Sequence, residues 1–159
     1  MKVVVAGVSG SGKTTVGRAL ADRLDVPFVD GDDLHPEANV ASMAEGVALD
    51  DAARQPWLRS VGAWLADHTD GVVACSALKR SYRDVLREHA PDARVLLLDG
   101  DRAVIAERQA DRPGHFMPTS LQDSQWAAFE PLGADEAGAT VDVALAPDEV
   151  VDAFVRQCG

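Results

Sequence analysis

The stretch Gly7-Val8-Ser9-Gly10-Ser11-Gly12-Lys13-Thr14 decides the fold of this chain. It follows the apolar run Val3–Ala6 and fits G-x-x-x-x-G-K-[ST] at every fixed position. Glycines let the main chain approach a phosphate, and the N–H groups that open the next helix face the anion. Lys13 supplies a charge for the β- and γ-phosphates, and the Thr14 hydroxyl is a ligand for Mg²⁺. A Gly- and Ser-rich turn is the alternative, but motif and context together favour a nucleotide phosphate loop.

The rest of the chain alternates between predicted strands and predicted helices. Continuous apolar runs indicate strands buried on both faces, as in a parallel sheet. These runs are Val3–Ala6, Val26–Val29, Val72–Cys75 and Val95–Leu98, and the less uniform Thr140–Leu145 suits an edge strand. Apolar stripes at helical spacing lie between or after them: Val16, Leu20 and Leu24; Trp57, Leu58, Val61, Trp64 and Leu65; Val150, Val151, Phe154 and Val155. The alternation predicts an α/β fold with a parallel sheet between helices.

Length, charge and cysteine content narrow the class of protein. A chain of 159 residues is about one domain, so we predict a single domain over residues 1–159. Fifteen Lys and Arg against 26 Asp and Glu give a net charge of −11, which argues against nucleic acid or an anionic membrane as partner. The sequence shows no signal peptide and no apolar run of about 20 residues, so we expect a cytoplasmic protein. The two cysteines, Cys75 and Cys158, are expected to be packed or idle thiols.

An acidic turn follows the second predicted strand. Asp30, Asp32 and Asp33 lie within four residues, in a stretch (28–53) that contains no Lys or Arg. A kinase that acts on an alcohol needs one carboxylate to orient or deprotonate the hydroxyl, and often another near Mg²⁺. The alternative is a solvated turn in which Asp33 caps a helix. His35 is either a ligand contact or a turn residue.

Basic residues follow the third strand and precede a Pro-Gly pair. Lys79 and Arg83 are four residues apart, which puts them on one face of a helix where they would suit an anionic substrate. Arg108 and Arg112 precede Pro113-Gly114, and arginines on a closing lid can stabilise a transferring phosphoryl group. The alternative for Lys79 and Arg83 is the exposed charged face of a helix. The alternative for Arg108 and Arg112 is a pair of ordinary arginines in the last turn of a helix.

A phosphate loop does not by itself specify the reaction. A GTPase would carry an Asn-Lys-x-Asp motif, which this sequence lacks. Asp99 follows the apolar run Leu96–Leu98, the position at which a motor ATPase would carry an acidic residue. Ending a strand or capping a helix is the simpler role for Asp99. The length suits a small kinase best.

Five segments together resemble the gluconokinase family, a group within the shikimate-kinase-like P-loop kinases. They are Gly7–Thr15, Asp30–Asn39 (DGDDLHPEAN), Arg54–Leu58 (RQPWL), Cys75–Asp84 (CSALKRSYRD) and His115–Gln125 (HFMPTSLQDSQ). The chain departs from the common family pattern at Ser42, Ala53, Gln55 and Asp99, which leaves substrate affinity and helix packing open.

The resemblance implies ATP-dependent phosphorylation of D-gluconate at O6, with Mg²⁺. It implies a three-layer α/β/α sandwich with a five-stranded parallel sheet, a mobile lid at about residues 108–125, and a homodimer. The implied nucleotide contacts are Gly7, Ser9, Gly10, Ser11, Gly12, Lys13, Thr14, Thr15, Arg108, Arg112 and Pro147. The implied gluconate contacts are Asp32, His35, Arg54, Lys79, Arg83 and Gln125, and the implied metal residues are Thr14 and Asp30. The residues assigned to catalysis are Lys13, Asp32 and Arg112.

Two other functions stay open from the sequence. The first is a kinase for another small hydroxy acid, such as shikimate. The second is a nucleotide-dependent switch that turns over no small molecule. The acidic turn together with Lys79 and Arg83 argues against a switch, which has no need of a substrate pocket.

Overall fold

The computed structural model describes residues 1–34, 51–110 and 119–158, where strands and helices alternate as predicted. In chain order the elements are β1 (Lys2–Ala6), α1 (Lys13–Leu24), β2 (Phe28–Asp30), a 3₁₀ turn (Gly31–Leu34), α2 (Asp51–Asp67), β3 (Gly71–Ala74), α3 (Arg80–His89), β4 (Arg94–Asp99), α4 (Arg102–Ala110), α5 (Thr119–Ala128), β5 (Gly138–Asp142) and α6 (Pro147–Cys158).

The five strands form one parallel sheet in the order β2-β3-β1-β4-β5. The central strand is β1, in which Val4 pairs with Val73 of β3 and with Val95 of β4. The predicted parallel sheet and the predicted edge position of the last strand are therefore confirmed. Ligands of such sheets bind beyond the carboxyl ends of the strands, and the phosphate loop follows the central one.

Two apolar cores lie on the two faces of the sheet, which makes the fold the predicted three-layer sandwich. Alternate residues of β1 point to opposite sides, with Val3 in one core and Val4 in the other. Helices α1 and α6 cover the first face, and α2 and α3 cover the second. The large buried residues that they contribute include Leu20 and Phe154 on the first face, and Trp57 and Leu86 on the second. No helix within the described residues is long and apolar enough to cross a membrane.

The bounds of all five strands differ from those predicted, and in two strands an end differs by two residues or more. β2 begins at Phe28 rather than Val26, because the Val26 N–H donates to the Ala21 carbonyl where α1 ends. β5 spans Gly138–Asp142 rather than Thr140–Leu145, because the Asp142 carboxylate accepts the Ala144 N–H and turns the chain. Both differences come from local hydrogen bonds that an apolar pattern does not reveal.

Candidate active site

The phosphate loop has the backbone that its glycines predict. Gly12 adopts φ 92°, a left-handed conformation that favours glycine, immediately before α1 begins at Lys13. The Ser11 N–H donates to the Val8 carbonyl at 3.1 Å, and the Val16 N–H donates to the Gly12 carbonyl at 2.9 Å. The first turn of α1 therefore opens directly on the loop, the arrangement that binds phosphate.

The side chain of Lys13 folds back over this loop. Its Nζ donates to the Val8 carbonyl at 3.1 Å, and the side chain is only partly exposed. The ammonium group is thus held beside the backbone that would cradle a phosphate, as the motif predicts.

Asp30 joins the phosphate loop to the acidic turn. Its Oδ2 accepts a hydrogen bond from Thr14 Oγ1 at 2.9 Å, and its Oδ1 accepts the Asp32 N–H at 3.0 Å. The two residues assigned to the metal are therefore in contact.

A hydroxyl and a carboxylate are hard oxygen donors, so the Thr14–Asp30 pair fits Mg²⁺. This ion usually takes one or two protein ligands and completes its shell with water and phosphate oxygens. Among the described residues no three His, Cys, Asp or Glu side chains are grouped to hold a metal. The Thr14–Asp30 pair would hold the ion together with the phosphates of a nucleotide.

The acidic turn is fixed from two sides. A Cβ at Gly31 would lie 2.6 Å from the Ala74 carbonyl oxygen, so only glycine lets the turn lie this close to β3. From α2, the buried Trp57 Nε1 donates to the Gly31 carbonyl at 2.7 Å. The adjacent Asp32 is thus carried on a rigid backbone.

The carboxyl group of Asp32 is a stronger base than an ordinary aspartate. Its side chain reaches solvent, but lost hydration of the carboxyl raises its pKa, and the charges of Asp30 and Asp33 raise it further. The charge of Lys13 acts in the opposite direction. A raised pKa suits a group that accepts a proton from a hydroxyl.

Tyr82 brings two of the predicted substrate-binding cations together. Arg54 Nη1 donates to the Tyr82 hydroxyl at 2.6 Å, and its guanidinium carbon lies 4.8 Å from the ring centroid. The Lys79 Nζ lies 5.5 Å from the same centroid. Arg54 comes from α2 and Lys79 precedes α3, so the tertiary fold creates this cation cluster, which could bind an acidic substrate.

Arg83 does not join that cluster. Its side chain has no exposed surface and binds Glu136 together with the carbonyls of Ala77, Leu78 and Pro131. A buried cation whose donors are all engaged has nothing to offer a substrate. The predicted substrate contact of Arg83 is therefore corrected to a structural contact.

Gln125 lies against the phosphate loop. Its Oε1 accepts the Ser9 N–H at 2.6 Å, which connects α5 to the loop between β1 and α1. The contact of Gln125 with gluconate stays a prediction.

The described residues do not include the side chains of three predicted contact residues, one for gluconate and two for the nucleotide. His35 and Arg112 lie outside the described residues, and Arg108 belongs to α4 without a described side chain. The predicted lid at about 108–125 is described only at its two ends. Pro147 is the exposed first residue of α6, and its predicted adenine contact stays a prediction.

Cys75 is confirmed as a packed thiol. It is 2% exposed directly after β3, and burial raises the pKa of its thiol to about 12. It is therefore not a nucleophile.

Sequence reasoning assigned no role to three residues that shape the site. Trp57 and Tyr82 are buried. Trp57 also lies on an apolar helical stripe, so the neighbouring sequence does not reveal a polar role for its indole. Glu136 lies 53 residues from Arg83, and no local pattern predicts their pairing. Only the tertiary structure identifies these roles.

Comparisons with known proteins agree with this geometry. The family profile of shikimate kinase matches residues 9–158. The gluconokinase of Gluconobacter oxydans is 44% identical over 158 residues, which cover 97% of this chain and 89% of that protein. The thermosensitive gluconokinase of Escherichia coli K12 is also 44% identical, over 84% of this chain and 73% of that protein.

A solved structure gives the same result in three dimensions. The crystal structure of a gluconokinase from Sinorhizobium meliloti 1021 superposes with a TM-score of 0.89 at 46% sequence identity, covering 99% of this chain and 93% of that one. Together with the phosphate loop and the acidic turn, these matches establish that the chain belongs to the gluconokinase family.

Proposed function

We propose that this protein transfers the γ-phosphoryl group of ATP to O6 of D-gluconate, giving 6-phosphogluconate and ADP. The observation that carries the proposal is the Thr14–Asp30 hydrogen bond, which joins a nucleotide loop to a turn of carboxylates. The gluconokinases that resemble this chain over most of its length support the choice of substrate.

The nucleotide end of the reaction belongs to the phosphate loop. Backbone N–H groups at the start of α1 bind the phosphates, and Lys13 places a positive charge beside them. Thr14 and Asp30 would hold Mg²⁺, which neutralises phosphate charge when bound. Arg108 and Arg112 are proposed to close over the nucleotide.

The acceptor end belongs to the acidic turn. Asp32 accepts the O6–H hydrogen bond and orients the oxygen toward the γ-phosphorus. A new O6–P bond forms as the bond from phosphorus to the β,γ-bridging oxygen breaks, and the proton passes to Asp32. Because this transfer asks mainly for positioning, the rigid backbone of the turn matters as much as basicity.

The acid end of gluconate is matched by the cation cluster at Tyr82. Arg54 and Lys79 are proposed to bind the carboxylate, so that O6 at the other end of the substrate faces ATP. His35 and Gln125 are proposed to bind hydroxyl groups.

A coupled assay for ADP release tests the substrate. The wild-type protein is supplied with ATP, Mg²⁺ and, in turn, gluconate, other aldonates, shikimate and nucleoside monophosphates. We expect ADP release that depends on gluconate, and Lys13→Ala should abolish it. A protein that releases ADP only with shikimate, or that hydrolyses nucleotide regardless of the added acid, would contradict the proposal.

The role of Asp32 is tested by comparison with its neighbour in the same turn. Asp32→Asn should lower kcat by about 100-fold or more, the usual contribution of a proton acceptor, with little change in ATP affinity. Asp33→Asn is the matched control and should stay near wild type.

The pH profile gives a second measure of the same group. Asp32 must be deprotonated to accept a proton, so kcat/KM should fall as the pH drops through its pKa. Because that pKa is raised, the fall should begin at a higher pH than for an ordinary aspartate at about 3.9. If Asp32→Glu does not shift this fall in kcat/KM along the pH scale, the fall belongs to another group.

We also propose, on family membership alone, a magnesium-dependent homodimer that acts in the cytoplasm. Sedimentation velocity at assay concentrations should give a dimer, and chelation of Mg²⁺ should stop turnover. A monomer with full activity would refute the dimer.

A further inference from the structure

Arg83 is the most completely engaged side chain of the described site. A guanidinium carries five N–H donors, and here each has an acceptor. Nε and Nη2 bind the two oxygens of Glu136 at 2.8 and 3.0 Å, and Nη2 also binds the Pro131 carbonyl at 3.2 Å. Nη1 binds the carbonyls of Ala77 and Leu78, each at 3.1 Å.

Glu136 completes the arrangement from the opposite side. Its side chain is 1% exposed, and it accepts the Gly133 N–H at 2.8 Å and Arg87 Nη2 at 2.9 Å in addition to Arg83. We call Arg83, Glu136 and these hydrogen bonds the buried clamp. It ties α3 to the loop 130–136, which follows α5.

The clamp holds the backbone that leads into Lys79. The two carbonyls bound by Arg83 Nη1 belong to the two residues immediately before Lys79, and the Leu78 carbonyl also accepts the Glu130 N–H at 2.8 Å. After Lys79, its own carbonyl accepts the N–H groups of Tyr82 and Arg83. Lys79 therefore occupies a short extended position, φ −91° and ψ 147°, fixed on both sides by bonds to α3.

We infer that Arg83 and Glu136 are positioning residues, which orient Lys79 toward the acid group of the substrate without touching it. This inference rests on the proposed role of Lys79 in binding that acid. The inference is drawn from the two hydrogen bonds by which Arg83 holds the carbonyls directly before Lys79. A supporting contact of this kind acts through the geometry of the residue that it holds.

A double-mutant cycle separates positioning from simple stabilisation. Glu136→Gln keeps the size of the side chain and removes its charge, and Arg83→Lys is the second variant if the first is too unstable. We expect Glu136→Gln to raise the KM for gluconate by about fivefold or more, with the KM for ATP within about twofold of wild type.

The same substitution is then made in a Lys79→Ala background. If the clamp acts through Lys79, Glu136→Gln should change the gluconate KM there by less than about twofold. An equal fold-change in both backgrounds would mean that the clamp acts independently of Lys79, and this result would overturn the inference. Asp135→Asn, which removes the neighbouring exposed carboxylate, is the matched control and should leave both KM values unchanged.

Hydrogen exchange at the Glu130 amide reports on the clamp without any substrate. This amide binds the Leu78 carbonyl, so it should exchange faster in Glu136→Gln than in wild type or Asp135→Asn. Unchanged exchange would refute the clamp as the support of this segment. If wild-type protein fails to phosphorylate gluconate, the substrate proposal falls, whereas the cycle can be run with the acid that the substrate assay identifies.

Discussion

Two arginine–carboxylate pairs join α3 to the same loop, and they differ mainly in their access to water. Arg80 binds both oxygens of Asp135 at 2.8 and 2.6 Å, and Arg83 binds both oxygens of Glu136 at 2.8 and 3.0 Å. The side chains of the first pair are 43% and 67% exposed, whereas those of the second are 0% and 1% exposed. Nearly equal distances therefore occur in opposite surroundings.

The comparison shows that exposure to water, rather than the distance between the charges, decides how strongly an ion pair constrains the structure. The exposed pair interacts through water and contributes little to folding. In the buried pair both charges have lost their hydration, so each depends on the other and on the backbone groups around it. Such a pair specifies one geometry, and this is why we assign a positioning role to Arg83 but not to Arg80.

The pKa values of both carboxylates are lowered, but the balance of causes differs between them. The pKa of Asp135 is lowered to about 2, first by the hydrogen bond from Arg80. Burial alone would raise the pKa of Glu136, yet hydrogen bonds from Arg83 and the Gly133 amide, with the charge of Arg83, lower it to about 2. The partners of Glu136 thus outweigh its lost hydration and hold its pKa below that of an ordinary glutamate.

The largest expected effect is that of Arg83→Ala. It leaves the Glu136 carboxylate buried with Arg87 as its remaining cation, and it removes the donor to three carbonyls. Loss of one partner from a buried pair usually costs about 3–5 kcal/mol, a large share of a typical stability of 5–15 kcal/mol. Urea unfolding measures this, and Arg83→Lys gives an intermediate loss if the alanine variant does not fold. An unfolding free energy within about 1 kcal/mol of wild type would show that the buried pair stabilises the fold no more than the exposed pair does.

The second effect is a pH dependence that belongs to Glu136. A carboxyl whose pKa is lower in the folded state stabilises the fold above its ordinary pKa, and this contribution is lost as pH falls. For Glu136 the window runs from about pH 4.5 to about pH 2, and the shift corresponds to about 3 kcal/mol.

Urea unfolding of wild type and Glu136→Gln at several pH values measures this contribution. The difference in unfolding free energy between them should shrink as pH falls below 4.5, because glutamine does not titrate. Asp135→Asn, measured in parallel, should show a smaller change because its carboxylate is exposed. A constant difference from pH 6 to pH 3 would assign the acid sensitivity to other carboxylates.

The sequence predicts those parts of the molecule that are built from residues close together in the chain. The phosphate loop and the acidic turn are contiguous, and strong apolar runs place the strands with small errors at their ends. The resemblance assigns both Thr14 and Asp30 to the metal. The fold brings them together because Asp30 ends β2 and Thr14 lies in the first turn of α1, at the same edge of the parallel sheet.

Arg83 shows why the rest could not be predicted. Four-residue spacing places it beside Lys79 only if both are helical, but α3 begins at Arg80 and Lys79 has an extended backbone. The two side chains therefore do not share a helix face, and Arg83 turns into the core with Leu86. Its partner comes from a distant loop, and only tertiary packing brings the two together.

The smallest expected effect is that of Arg80→Ala, and its dependence on salt sharpens the comparison. The urea midpoint should change little at about 0.1 M NaCl, and that difference should vanish near 1 M NaCl, where the screening length is about 3 Å. The deficit of Arg83→Lys should persist at both salt concentrations, because ions do not reach a pair without exposed surface. Equal salt sensitivity in the two variants would mean that water enters the clamp, and with water present Arg83 could not hold the Lys79 backbone more firmly than a surface arginine does.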